Sequence, residues 1–156
     1  MADNISVVIP VYNSENALFE LYQKLKKTLE SLEVKFEIIL IDDNSIDDSY
    51  KKIVELNNKD NRVKGMKLAQ NFGQQNAIIC GFNYVKYDYV ITLDDDLGVH
   101  ALLNELLGLL EELTSGDDDR GGTISNLVGV RSGDVNKSLG SWMNNVEESN
   151  KSSAII

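Results

Sequence analysis

Three adjacent carboxylates, Asp94, Asp95 and Asp96, follow an apolar stretch, residues 87–93, in the run YDYVITLDDDLG. Three acids side by side at the end of a buried strand repel one another, and a bound divalent cation relieves that repulsion. Asp is also common in solvated turns and at helix caps, so the triplet alone does not separate a metal site from a turn. A second acidic strand end, EIILIDDNSIDD, in which residues 37–41 lead into Asp42 and Asp43, shifts the balance towards a site. In an open parallel α/β sheet the carboxyl ends of the strands share one edge, and ligands bind in the crevice outside it. Two strands delivering acids to that edge build one site.

The acids need strands and helices to carry them. Residues 5–9 (ISVVI) are short, β-branched and apolar and stop at Pro10, the only proline, which reads as a buried first strand. Ser14 is placed to cap a helix whose apolar face is Leu18, Leu21, Tyr22, Leu25, Leu29 and Leu32. Residues 37–41 form the second strand, and Ser45 or Asp47 caps a second helix containing Tyr50, Ile53, Val54 and Leu56. A further strand is expected at 63–68, an apolar helix at 76–85 and the acid-tipped strand at 89–93. Strand and helix alternate throughout, the signature of an α/β fold with a doubly wound, mostly parallel sheet between two helical layers. Leu102, Leu103, Leu106, Leu107, Leu110 and Leu113 continue as an amphipathic helix that reads as core packing. From Thr114 the character changes. Residues 114–125 read as an acidic, Gly-rich loop, and residues 126–131 (NLVGVR) as one more strand; the Ser- and Asn-rich tail from 132 has little periodicity and reads as partly disordered or held by a partner. The expected organisation is a core at 1–113, the loop at 114–125 and a remnant of a further region at 126–156.

Composition excludes several classes. At 156 residues the chain has the size of one domain, and its 42% hydrophobic and 26% charged residues are those of an ordinary globular protein rather than a disordered one. A formal net charge of −10 argues against broad binding to nucleic acid or to an anionic membrane surface, while a nucleotide carried by a metal remains compatible. One cysteine, Cys80, allows no intramolecular disulfide or thiolate zinc cluster, and in AIICGF it reads as a small core residue. The amino terminus has no signal-peptide pattern, and no apolar segment approaches the roughly 18 residues that span a bilayer, so a cytoplasmic location is expected, with contact to a membrane face coming through other segments or partners.

VIPVYNSE after the first strand, IDDNSIDD after the second, NFGQQNAIICGF before the third helix and LDDDL after the fourth strand occur in an order that resembles family 2 glycosyltransferases of the GT-A fold. The likeness is to polyprenyl-phosphate sugar transferases of the dolichol-phosphate mannose synthase kind. It covers residues 5–97 and thins afterwards to Gly129–Arg131, which implies the donor-binding part of a truncated GT-A domain. The resemblance implies a nucleotide-diphosphate sugar of UDP or GDP type as ligand, Mg²⁺ or Mn²⁺ as cofactor, and an acceptor of the lipid-phosphate class. It places Asp94 and Asp96 on the metal, where hard oxygen ligands suit such ions. It places Asp95 at the ribose, Pro10, Tyr12 and Glu15 around base and ribose, and Asp42 or Asp43 as acceptor of a base N–H, a task that suits an acceptor-only carboxylate. Asn71, Gly73 and Arg131 would contact diphosphate or sugar.

Three departures stand out. Gln70 stands where the family has a basic residue, and Gly98, Val99, His100 and Ala101 replace its Gln, His and prolines after the acidic motif. His100, the only histidine, reads as a helix-start surface residue. No catalytic base can be singled out, since the acceptor side of the family domain is largely absent from this sequence. An inverting sugar transfer is therefore the leading reading, and a nucleotide-diphosphate binding module without chemistry is the alternative. A receiver-like signalling domain, with its acidic pair after the first strand, fails because that strand ends in Pro10 and Tyr12. Homo-oligomer formation is left open by the sequence.

Overall fold

Apolar side chains along the first two strands alternate between two faces, and each face is covered by its own helices. The computed structural model describes residues 4–87, 89–93, 108, 123–124 and 127–131. In chain order the elements are β1 (Asn4–Val11), α1 (Leu18–Ser31), β2 (Lys35–Asp42), α2 (Ser49–Lys59), β3 (Val63–Lys67), α3 (Gln74–Phe82), β4 (Tyr89–Thr92), β5 (Thr123–Ile124) and β6 (Leu127–Arg131). They form one sheet in the order β3-β2-β1-β4-β6-β5. β1 pairs in parallel with β2 and β4, and β2 with β3, while β6 runs antiparallel to β4 and β5. Ile5, Val7, Ile9, Phe36, Ile38 and Leu40 pack against Leu18, Leu21, Leu25 and Leu29 of α1 and Ile53 and Leu56 of α2. Val8, Ile39, Ile41 and Val90 meet Ala77 and Cys80 of α3 on the other face. The result is the three-layer α/β/α, mostly parallel architecture that the alternation implied, and Cys80 is the small core residue expected. Each of these fully buried aliphatic side chains contributes about 1.5–3 kcal/mol. α3 lies directly on the sheet at Gly81, where a Cβ would come 2.4 Å from Val8 Cγ1 and 2.6 Å from Ile41 Cδ1.

The amino-terminal edge of the sheet is closed by paired charge. Glu37, buried in β2, accepts from Ser6 Oγ at 2.6 Å, Lys64 Nζ at 2.6 Å and the Lys86 N–H at 2.8 Å, and Ser6 Oγ in turn accepts from the Tyr87 N–H at 3.2 Å. Burial disfavours the Glu37 carboxylate, but Lys64, Ser6 and the Lys86 N–H outweigh it and hold the group below its ordinary range. Nearby, Asp60 takes a two-point contact from Arg62, Nε to Oδ1 and Nη2 to Oδ2, both at 2.9 Å, and accepts from Tyr22 Oη at 2.8 Å. Burial and this bond to Asp60 push the Tyr22 phenol up to about 12. Arg62 also lies over the Phe36 ring, 4.3 Å from its centroid.

Several boundaries differ from expectation. β1 does not stop at Ile9 but runs through Pro10 to Val11. Val8 accepts from Leu93 on the β4 side and Val11 from Asp43 on the β2 side, so alternation turns Pro10 to the β4 side, beyond Thr92, the last β4 residue in register. Its missing N–H breaks no rung among the described residues. Ser14 does not cap α1. The residue before the helix is Ala17, without a side-chain cap, and the Ser14 hydroxyl donates to the Tyr12 carbonyl at 3.0 Å. Ser45 does not cap α2 either; Asp48 holds the cap position without a side-chain bond, and Asp47 Oδ1 accepts the Ser49 N–H at 2.9 Å. α3 begins two residues earlier than expected and gives way to tighter turns, Asn83 N–H to Cys80 O and Tyr84 N–H to Gly81 O. Thr123–Ile124, within the stretch read as loop, form a short strand against β6. The expected helix at 102–113 lies outside the described residues except for Gly108, which is helical, and the tail from 132 lies outside them entirely.

Candidate active site at the carboxyl edge

Parallel pairing of β1, β2 and β3 brings the loops that follow them to one edge, and backbone N–H groups there find side-chain acceptors in the neighbouring loop. Asn13, at φ +49°, donates its N–H to Ser45 Oγ at 2.9 Å and accepts the Ile46 N–H on Oδ1 at 2.9 Å. The Ser14 N–H donates to Ser49 Oγ at 2.8 Å. Glu15 and the β2–α2 loop exchange bonds, its N–H to Asp47 Oδ2 at 3.2 Å and the Asp48 N–H to its Oε2 at 2.9 Å. Asp42 is fully buried and binds both the hydroxyl and the N–H of Ser45. Asp43, 3% exposed, reaches the loop after β3, accepting the Phe72 N–H at 2.8 Å and the Gly73 N–H at 3.0 Å.

Several acids gather at this edge, and no ion pair among the described residues reaches them. The ion pairs among the described residues join Lys24 to Glu20, Lys52 to Glu55, Arg62 to Glu30 and Asp60, and Lys64 to Glu37, and none reaches Glu15, Asp42, Asp43 or Asp47. Burial, partly offset by the two loop N–H groups, raises the Asp43 carboxyl, and Asp42 beside it adds to the rise. Burial works against the Asp47 charge too, but there Ser49 and the Glu15 N–H prevail and lower it.

Most of the residues singled out in the sequence meet here. Pro10 is buried at the end of β1, Tyr12 is 46% exposed at the rim, and Glu15 spans the first two loops. Asn71 is exposed and accepts the Gly73 N–H at 3.2 Å. Asp94, Asp95 and Asp96 lie outside the described residues; the last described residue before them, Leu93, donates its N–H to the Val8 carbonyl at 3.2 Å, within the β1–β4 pairing. Among the described residues no three His, Cys, Asp or Glu side chains form a group able to hold a metal, so a metal reading rests on Asp94 and Asp96, whose hard oxygen donors suit Mg²⁺ or Mn²⁺. Arg131 is the exception. β6 runs antiparallel, and its last residue stands opposite Tyr89, which is level with Ile5 near the other edge.

Sequence reasoning did not find the cross-loop bonding of Asn13, Ser45, Asp47 and Ser49. The signal was present as two runs of short polar residues, YNSE and DDNSIDD, each able to satisfy backbone N–H groups outside its own loop.

Residues 6–145 match the family described as Glycosyl transferase family 2. The undecaprenyl-phosphate 4-deoxy-4-formamido-L-arabinose transferase of Proteus mirabilis (strain HI4320) is 47% identical over 96 residues, which are 61% of this chain and 29% of that relative. Among solved structures, the mannosyltransferase PcManGT from Pyrobaculum calidifontis, in complex with GDP-Man and Mn²⁺, aligns at a TM-score of 0.66 with 12% identity, over 88% of this chain and 47% of that one. S. aureus TarS 1–349 in complex with UDP-GlcNAc aligns at 0.59 with 22% identity, over 88% and 47%. At these identities the structural likeness is one of fold. The chain spans less than a third of the length of the curated relative and less than half of either solved chain.

Proposed function

This chain belongs to glycosyl transferase family 2, and from that premise we propose that it is the donor-binding part of a glycosyltransferase that takes a UDP- or GDP-sugar and delivers the sugar to a polyprenyl phosphate. The observation that carries the reading is the carboxyl edge: three loops tied together through carboxylates that no Lys or Arg neutralises among the described residues. Such an edge suits a ligand that arrives with a cation.

In this reading Pro10 and Tyr12 border the base, and Asp43 accepts the base N–H; Asp42, without exposed surface, supports the turn through Ser45 instead. Glu15, held by the Asp48 N–H, forms the wall between the first two loops. Asp95 faces the ribose, and Asn71 and Gly73 lie towards diphosphate and sugar. Asp94 and Asp96 would hold Mg²⁺ or Mn²⁺, which when bound neutralises the diphosphate and stabilises the charge of the departing nucleoside diphosphate. An acceptor phosphate oxygen then displaces the nucleoside diphosphate from the anomeric carbon in line, with inversion. The acceptor class follows the Proteus relative, and a lipid acceptor puts the reaction at a membrane face; no helix among the described residues is long and apolar enough to cross one.

The test is a transfer assay with UDP- and GDP-sugars, Mn²⁺ and undecaprenyl phosphate, run beside calorimetric titration with UDP and GDP. Release of UDP or GDP with a lipid-linked sugar is the expected result. Binding without transfer assigns the chain the role of a nucleotide-diphosphate binding module, and binding of neither nucleotide overturns the proposal.

A further inference from the structure

Asp43 links two parts of the carboxyl edge that are far apart in sequence. Its carboxylate leaves the end of β2 and accepts from the N–H groups of Phe72 and Gly73, 29 and 30 residues further on, at 2.8 and 3.0 Å. The loop it holds has a shape that needs holding. Gly73 sits at φ +93° and ψ 154°, a region that side-chain-bearing residues rarely enter, and it precedes α3 without any side-chain cap on that helix. Asn71 Oδ1 adds a third contact, also to the Gly73 N–H. Beyond the loop, α3 is pinned to the sheet at Gly81 by packing, and before it the Leu68 N–H donates to the Asp42 carbonyl at 2.9 Å, so Asp43 is the side chain from another strand that holds the middle of the segment.

A carboxylate has about four lone-pair sites, and two loop bonds leave room for a third donor. Resting on the donor reading above, we propose that Asp43 is a positioning residue that carries occupancy of the nucleoside pocket to residues 71–73, fixing this loop in the shape that receives the diphosphate end of the donor. A residue that served the base alone would weaken nucleoside monophosphate and diphosphate alike. A residue that also sets the loop weakens the diphosphate more.

Two variants separate these roles. Asp43→Glu keeps the charge and the acceptor chemistry but moves the oxygens by one methylene, and Gly73→Ala leaves Asp43 untouched. A Cβ at Gly73 meets nothing within 4 Å, so that change acts only through backbone conformation. The readouts are amide hydrogen exchange at residues 72 and 73 in the ligand-free protein, and the affinities for UMP, UDP, GMP and GDP with Mn²⁺. Exchange at these amides rises about tenfold or more in Asp43→Glu, whose diphosphate affinity falls about tenfold further than its monophosphate affinity, and in Gly73→Ala diphosphate affinity falls about tenfold while monophosphate affinity stays within about twofold. Equal loss for mono- and diphosphate in Asp43→Glu, or unchanged exchange in that variant, overturns the inference. If the wild-type chain binds no nucleotide, the donor reading falls, and the exchange measurement alone still decides whether Asp43 holds the loop.

Discussion

The two edges of this sheet both gather buried carboxylates, yet they satisfy them in opposite ways. At the amino edge Glu37 has Lys64 and Asp60 has Arg62, so each charge is cancelled where it stands. At the carboxyl edge Glu15, Asp42, Asp43 and Asp47 accept, among the described residues, from N–H and O–H groups alone. Hydrogen bonds satisfy lone pairs without removing net charge. The amino edge is therefore complete in itself, and the carboxyl-edge acids keep their charge without an ion-pair partner among the described residues. The same chemistry of Asp and Glu reads as structure at one end and as a site at the other, and the partner decides which.

The sharpest way to break this comparison is to remove the charges proposed to hold the cation. Asp94→Asn combined with Asp96→Asn is expected to lower Mn²⁺-dependent UDP or GDP affinity about a thousandfold, roughly 4 kcal/mol, with the urea midpoint unchanged. At the other end Glu37→Ala leaves Ser6 Oγ and the Lys86 N–H without their acceptor and Lys64 without its counter-ion. It should cost about 3 kcal/mol of stability in urea denaturation and leave nucleotide affinity intact. Gly81→Ala, which forces α3 away from Val8 and Ile41, should cost about 2 kcal/mol in the same assay.

Acid sharpens the contrast with the smallest effect. The Glu37 carboxyl is held below its ordinary 4.5, so its contribution is present above that pH and lost as the pH falls through the folded value. The Asp43 carboxyl is raised, so its contribution has the opposite sign, present at low pH and lost as the pH rises through the folded value. Denaturation between about pH 6 and about pH 3 should show stability falling on acidification, and Glu37→Gln should flatten that fall. An equally steep fall in the variant would remove Glu37 from the account.

What was legible in the sequence was whatever one strand or one helix decides alone. The β-branched runs announced β1, β2 and β4, the leucine spacing of α1 announced its buried face, and the acids after β2 announced the edge. What escaped depends on neighbours across the sheet. Pro10 looked like a stop because the side to which its missing N–H turns is set by β4. Ser14 and Ser45 looked like caps because a Ser before a helix commonly is one, whereas one hydroxyl donates to the Tyr12 carbonyl and the other bridges Asp42 and the Asn13 N–H. Glu37 read as the start of a strand, since nothing near it in sequence reveals that Ser6, Lys64 and Lys86 converge on it. Arg131 matched by motif, but the antiparallel run of β6 carries its backbone towards the amino edge, and direction within a sheet has no local signature.

The claim that the unneutralised edge is the donor site is tested most directly by paramagnetic broadening of backbone amide signals on adding Mn²⁺ with UDP or GDP. Broadening should be strongest at residues 12–15, 43–47 and 71–73 and should require the nucleotide for full effect, while residues 35–37 and 60–64 stay sharp. Broadening centred on the amino edge, or none with either nucleotide present, would contradict the account.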